Sequence, residues 1–165
     1  MIIIVTDTNF FIDLIRLGAL GHFFQLNYEI CTTDLVIEGL RLPDHQQQIE
    51  NYLRYGKLKI ITLDDSEIQK AIQLPTQCYM PGIVGRSALL KAIELSSLVV
   101  SSDDHLSREC EHFGLEVHDL LWIIHKIHTA GLITQERSIQ MRERLGKTHH
   151  FLQKVMNGRA VVEAI

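Results

Sequence analysis

The stretch Ile2-Ile3-Ile4-Val5-Thr6-Asp7-Thr8-Asn9-Phe10 decides how the chain is read. Four consecutive β-branched residues have no alternation, which marks a strand buried on both faces, the kind that lies inside a parallel sheet. The run stops at Thr6-Asp7-Thr8-Asn9, whose short polar side chains favour turns and helix caps. Phe10, Phe11, Leu14, Ile15 and Leu17 then recur at helical spacing up to Gly18. Strand, acidic turn and helix follow one another within about twenty residues, as in a β–α unit.

The same grammar recurs downstream. Tyr28–Thr32 reads as a second strand, and Thr33-Asp34 opens a helix that carries Glu38 one turn in. Residues 44–55 read as a polar-faced helix, Leu58–Leu63 as a third strand, and Asp64-Asp65-Ser66 as the cap of a helix over 67–74. A turn-rich stretch, Pro75–Gly85, holds two of the three prolines. A helix over 86–95 leads into Leu98-Val99-Val100 as a fourth strand, followed at once by Ser101-Ser102-Asp103-Asp104. A helix over 105–113 stops at Gly114, Leu115–His118 makes a fifth strand, and the rest is helical, divided at Gly131 and near Gly146. Alternation of this kind predicts an α/β fold, a parallel β-sheet sandwiched by helices. No internal repeat is present. Residues 1–133 read as one domain and 134–165 as a helical extension packed on it.

Composition narrows the class. With 165 residues, 46% of them apolar and 22% charged, the chain suits one globular domain. No apolar run approaches the ~20 residues a membrane helix needs. The first residues lack the basic start of a signal peptide. The cysteines are Cys31, Cys78 and Cys110, an odd number without close pairing, which speaks against a disulfide framework or zinc knuckle and for a reducing cytoplasm. The net charge is −4, yet the segment from Thr134 carries six basic residues against three acidic ones. That tail either faces an anionic partner or is a solvated helical surface.

Three acids follow three strands: Asp7 after the first, Glu38 a turn after the second, Asp103 after the fourth. Neighbouring parallel strands lie only about 4.8 Å apart. Carboxylates gathered at their ends repel one another unless a cation neutralises them. Hard oxygen ligands suit Mg²⁺ or Mn²⁺, which activate water and shield a phosphodiester. Taken singly, Asp7 caps the first helix, Glu38 is a solvated helical residue, and Asp103 or Asp104 caps the helix after the fourth strand.

Val5-Thr6-Asp7-Thr8-Asn9-Phe10 resembles the opening strand and first acid of PIN domains. Thr32–Glu38 looks like that family's second acidic motif, and Val99–Leu106 is similar to its last. The closing strand around Gly114–Val117 and the stretch from Leu120 to Ile133 also match, so the likeness covers about residues 2–133 in order. It implies a three-layer α/β/α fold of the 5′-nuclease-like kind and an Mg²⁺- or Mn²⁺-dependent ribonuclease acting on RNA, in the manner of a toxin paired with an antitoxin protein. In that reading Asp7, Glu38 and Asp103 are catalytic and hold the metal, with Asp104 as an additional ligand. Thr8, Asn9 and Ser102 bond the ligands or the substrate phosphate. A homodimer, or a partner lying across the acidic groove, is what the family suggests.

One departure stands out. The family usually places a further acid just ahead of a Ser-Ala pair, and here Val84-Gly85-Arg86-Ser87-Ala88 puts Gly85 in that place. Arg86 beside it binds a phosphate, or leans on Asp103 as a substitute cation, or is an ordinary surface residue. The loss of one carboxylate opens a second reading, a degenerate PIN domain that binds RNA or protein without cleaving. A third, a phosphotransfer fold with Asp7 as nucleophile, requires a second Asp where Asn9 stands.

Overall fold

The computed structural model describes residues 1–76 and 81–147. Strands β1 (Ile2–Val5), β2 (Glu29–Thr33), β3 (Leu58–Ile61), β4 (Leu98–Val100) and β5 (Val117–His118) form one sheet in the order β3-β2-β1-β4-β5, with every pairing parallel. The helices are α1 (Thr8–Leu17), α2 (Leu20–Phe23), α3 (Asp34–Glu38), α4 (Pro43–Arg54), α5 (Asp65–Gln73), α6 (Ile83–Leu95), α7 (Asp104–His112), α8 (Leu120–Thr129) and α9, seen over 135–147.

The opening run takes the centre of the sheet. Ile3, Ile4 and Val5 are fully buried between β2 and β4, which explains why β1 is apolar on both faces. Two side chains tie the polar ends of the strands together. Thr32 Oγ1 donates to the Val5 carbonyl at 2.8 Å, and Thr6 Oγ1 donates to the Val100 carbonyl at 3.3 Å. The sheet grows from β1 to β2 to β3, returns across to β4, and ends at β5. Right-handed crossovers therefore put the helices of the first half on one face and those of the second half on the other. Between β1 and β4 the direction of growth reverses, and this is the switch point at which parallel sheets open a crevice at their carboxyl ends.

Several boundaries differ from the sequence reading. Helix α6 begins at Ile83, three residues ahead of expectation, because Gly82 ends the extended stretch and Arg86 N–H already bonds the Gly82 carbonyl. The fifth strand shrinks to Val117–His118, pairing only with Val99 and Val100. Helix α9 runs through Gly146 without a break there. Its Met141 and Leu145 are buried in the core, and Arg137 Nη2 donates to the Leu17 carbonyl at 3.3 Å. The extension thus begins as a helix packed against the end of α1. The remainder of it, with His149 and His150, and Cys78 in the turn-rich stretch, lie outside the described residues. No helix among the described residues is long and apolar enough to cross a membrane.

Candidate active site

Asp7 sits on the switch point. Its backbone is extended, as an N-cap requires, and Oδ1 accepts the Phe10 N–H at 2.9 Å. Its other oxygen is held from the neighbouring strand. Oδ2 accepts Ser101 Oγ–H and Ser102 N–H, both at 2.8 Å. The carboxylate is thus aimed by α1 on one side and by the end of β4 on the other. Burial nevertheless pushes its pKa above the usual carboxylate value, the three donors pull it back, and the negative charge of Asp103 adds to the rise.

Asp103 caps α7, its Oδ1 accepting His105 N–H at 2.9 Å and Leu106 N–H at 3.1 Å. Ser101 Oγ also receives the Asp103 N–H at 3.0 Å, so one hydroxyl links both acids. Asp7 and Asp103 line a common cleft of about 160 Å³ whose walls are Pro81, Val84, Gly85 and Leu106. Gly85 therefore stands beside the two carboxylates. A Cβ built there would lie 3.2 Å from both a Leu106 methyl and Pro81 Cβ. Apolar atoms fill the space from which a third acid would reach.

Glu38 does not join the pair in a common cluster. Among the described residues no group of three or more His, Cys, Asp or Glu is arranged to hold a metal ion. The reason is local. Helix α3 has five residues, Glu38 is the last, and its side chain is exposed. Its helix is nonetheless fixed near α1. Thr8 Oγ1 donates to the Val36 carbonyl at 2.7 Å, and Gly39 packs so tightly that a Cβ would come within 2.2 Å of that oxygen. Thr33, the first residue before α3, shares a 2.9 Å hydrogen bond with Ser87 of α6, which also donates to the Val84 carbonyl. The Ser-Ala pair of the motif is a buried spacer between helices.

The other candidates divide. Ser102 holds Asp7 through its backbone, and its hydroxyl lies 3.4 Å from Asp13 of α1. Thr8 is engaged with α3, its hydroxyl proton going to the Val36 carbonyl. Asn9 is exposed on the first turn of α1. Asp104 is exposed and lines a different cavity, on the far side of Ser101 and Ser102. Arg86 is not the ordinary surface residue of the alternative reading: it is buried, Nε donates to the Pro81 carbonyl at 3.0 Å, and Nη1 donates to the carbonyls of Ala71 and Ile72 at the end of α5. Its fork closes a helix C-terminus, and its bonds go to backbone carbonyls and not to Asp103. Ser101, which bonds both Asp7 and Asp103, is absent from the site residues the sequence reading proposes. Only its place at the tip of β4, next to Asp7 in space, signals it.

The donor set is oxygen alone, with two carboxylates converging on a cleft and one of them raised in pKa by burial and by the other. This chemistry fits a hard divalent cation completed by water or substrate oxygens, as Mg²⁺ often is. It does not fit zinc, which favours nitrogen and sulfur.

Such a site, at the switch point of an all-parallel α/β sheet, defines a PIN-type fold. The family model DUF3368, described as a PIN domain, matches residues 3–160, and the chain belongs to that family. The match extends beyond Ile133 into the helical extension. Among solved structures, the chain is similar to a PilT N-terminus domain protein of the hyperthermophilic archaeon Sulfolobus solfataricus P2, at 15% identity and a TM-score of 0.50, covering 78% of this chain and 92% of that one. It also matches VapBC2 of Rickettsia felis bound to a promoter DNA fragment, at 16% identity and a TM-score of 0.48, covering 72% of this chain and 98% of that one. No curated protein matches at a significant level.

Proposed function

We propose that the protein is a divalent-metal-dependent ribonuclease of the PIN type, with Asp7 and Asp103 as the metal-holding pair. The observation that carries this reading is the double grip of Ser101 and Ser102 on Asp7, which holds a partly buried carboxylate in a cleft it shares with Asp103. A structural cap would need only the Phe10 amide. A Mg²⁺ or Mn²⁺ ion, when bound, supplies the charge that polarises a phosphodiester and acidifies water. The chain does the rest. Phe10, Ser101 and Ser102 keep Asp7 in one orientation, and the first amides of α7 hold Asp103. Pro81, Val84 and Leu106 exclude water from one side of the cleft. Glu38 serves from the rim, where α3 is pinned to α1 by Thr8. Fixed oxygens in a partly dry site strengthen charge interactions with the substrate. Membership of the PIN family supports RNA as the substrate class.

A second reading, a binding module without cleavage, is favoured by Gly85 and by the lack of a three-acid group among the described residues. Assays on single-stranded RNA with Mn²⁺ and with EDTA test the first. Cleavage that requires Mn²⁺ and is lost in Asp7→Asn supports the nuclease. Equal cleavage by Asp7→Asn and the parent ends it. Calorimetry with Mn²⁺ separates the two readings: heat abolished by Asp103→Asn favours the nuclease, and no binding at millimolar metal favours the module.

A further inference from the structure

Behind Ser101 and Ser102 lies a second cavity of about 380 Å³, formed where α9 closes against the starts of α7 and α8. We infer that it is a guanine-recognition subsite for the RNA strand, taking the nucleotide beside the phosphate at the Asp7–Asp103 cleft; this rests on the ribonuclease reading. The two sites share a wall, since Ser101 and Ser102 hold Asp7 and also line the cavity. A strand crossing one reaches the other.

The lining selects the occupant. Leu120 and Leu145 are buried and give an apolar floor suited to a flat ring. Asp104, Asp119 and Arg142 also line the cavity, and all three are exposed. Asp119 Oδ1 caps α8 through Trp122 N–H at 2.9 Å, and its second oxygen has no bond among the described residues. Two negative groups repel a phosphate, so the ligand presents N–H donors to them. Arg142 asks for acceptors. Guanine meets both demands: N1–H and the N2 amino group donate to one carboxylate, while O6 and N7 form the paired acceptors that Arg prefers. Adenine sets an acceptor, N1, beside its amino group and meets a carboxylate badly. Uracil and cytosine offer a shorter donor edge and less surface for the floor. Each two-point contact discriminates by about tenfold or more.

The test is amide NMR on the full chain in EDTA, titrated with 5′-GMP, 5′-AMP, 5′-CMP and 5′-UMP, and then with short single-stranded RNAs holding one G or none. Metal-free conditions keep it independent of cleavage. We expect shifts at Leu120, Leu121 and Gly146 with GMP about tenfold tighter than with the others, and tighter again with the G-containing RNA. Asp119→Asn keeps the helix cap and Arg142→Gln alters an exposed residue, so both variants fold; each should erase the preference for G. Equal binding of all four nucleotides, or shifts that avoid the cavity, overturns the subsite. Free GMP binding as tightly as the G-containing RNA overturns the assignment to an RNA strand. A guanine preference in EDTA, together with no RNA cleavage in the separate Mn²⁺ assay, leaves the subsite standing and removes the nuclease reading.

Discussion

Ser101 Oγ donates to Asp7 Oδ2 at 2.8 Å across 94 residues of sequence, and the same oxygen accepts the Asp103 N–H at 3.0 Å. One hydroxyl thus binds the ends of β1 and β4 and sets both acids. Removing it in Ser101→Ala leaves a partly buried carboxylate short of a donor, which costs about 1–3 kcal/mol for a bond to a charged group. We expect a lower urea midpoint together with Mn²⁺ binding weakened by at least severalfold. Full metal affinity in Ser101→Ala would show that Asp7 does not depend on this bond.

The charge state of Asp7 gives a pH dependence of definite sign. Burial, followed by the Asp103 charge, raises its folded pKa above 3.8, the ordinary value. The folded state therefore binds this proton more tightly than the unfolded chain. The contribution to stability is complete below the unfolded pKa and is lost as pH rises through the folded one. In EDTA, the stability of the parent relative to Asp7→Asn should fall as the pH rises above the ordinary carboxylate value. Saturating Mg²⁺ or Mn²⁺ should restore it at neutral pH, because binding to the native state adds stability. Denaturant midpoints over that rise in pH measure the difference, and a flat difference contradicts the assigned burial.

Arg86 separates structure from recognition. Its contacts are the carbonyls of Ala71, Ile72 and Pro81. Arg86→Met should destabilise by about 1–3 kcal/mol through unpaired carbonyls, while KM for RNA stays unchanged at temperatures where the variant is folded. A rise in KM with unchanged stability would return Arg86 to the phosphate-binding role.

At Gly85 the missing acid can be put back. The φ angle is not left-handed, and the atoms nearest a Cβ are the two methyls of the flexible Leu106 side chain, at 3.2 and 3.4 Å, and Pro81 Cβ at 3.2 Å. Gly85→Asp with Leu106→Val makes room and adds a third carboxylate beside Asp7 and Asp103. Mn²⁺ should bind about tenfold tighter, since affinity rises with ligand charge. Calorimetry that finds no gain would place the cation away from this cleft.

Gly39 reports on the approach of α1 and α3. A Cβ at Gly39 overlaps Thr8 Oγ1 at 2.2 Å. Gly39→Ala should cost about 1–3 kcal/mol from overpacking. Adding Thr8→Ala should recover part of the loss, a coupling that a double-mutant cycle reads directly. Strict additivity would mean that the two helices do not press on each other there.

Much of this was legible in the chain itself. The β-branched run at Ile2–Val5 defined a two-sided buried strand, because no amphipathic element tolerates four such residues in succession. The alternation of strands with capped helices called for a parallel sheet, and the acids after the first, second and fourth strands pointed to its carboxyl edge. Those features are local: they depend on propensity, patterning and turn chemistry that neighbours in sequence fix.

The order β3-β2-β1-β4-β5 was not local, and it decided which acids meet. By putting β4 beside β1 it joined Asp7 to Asp103 through Ser101, whereas Glu38, although it follows the other neighbour of β1, is left exposed by the shortness of its own helix. Arg86 shows the same division. As a letter next to a missing acid it reads as a spare cation, whereas in space the carbonyls at the end of α5 need donors and its guanidinium supplies them. Sequence fixes which groups a residue can offer. Only the fold decides which unsatisfied group reaches it first.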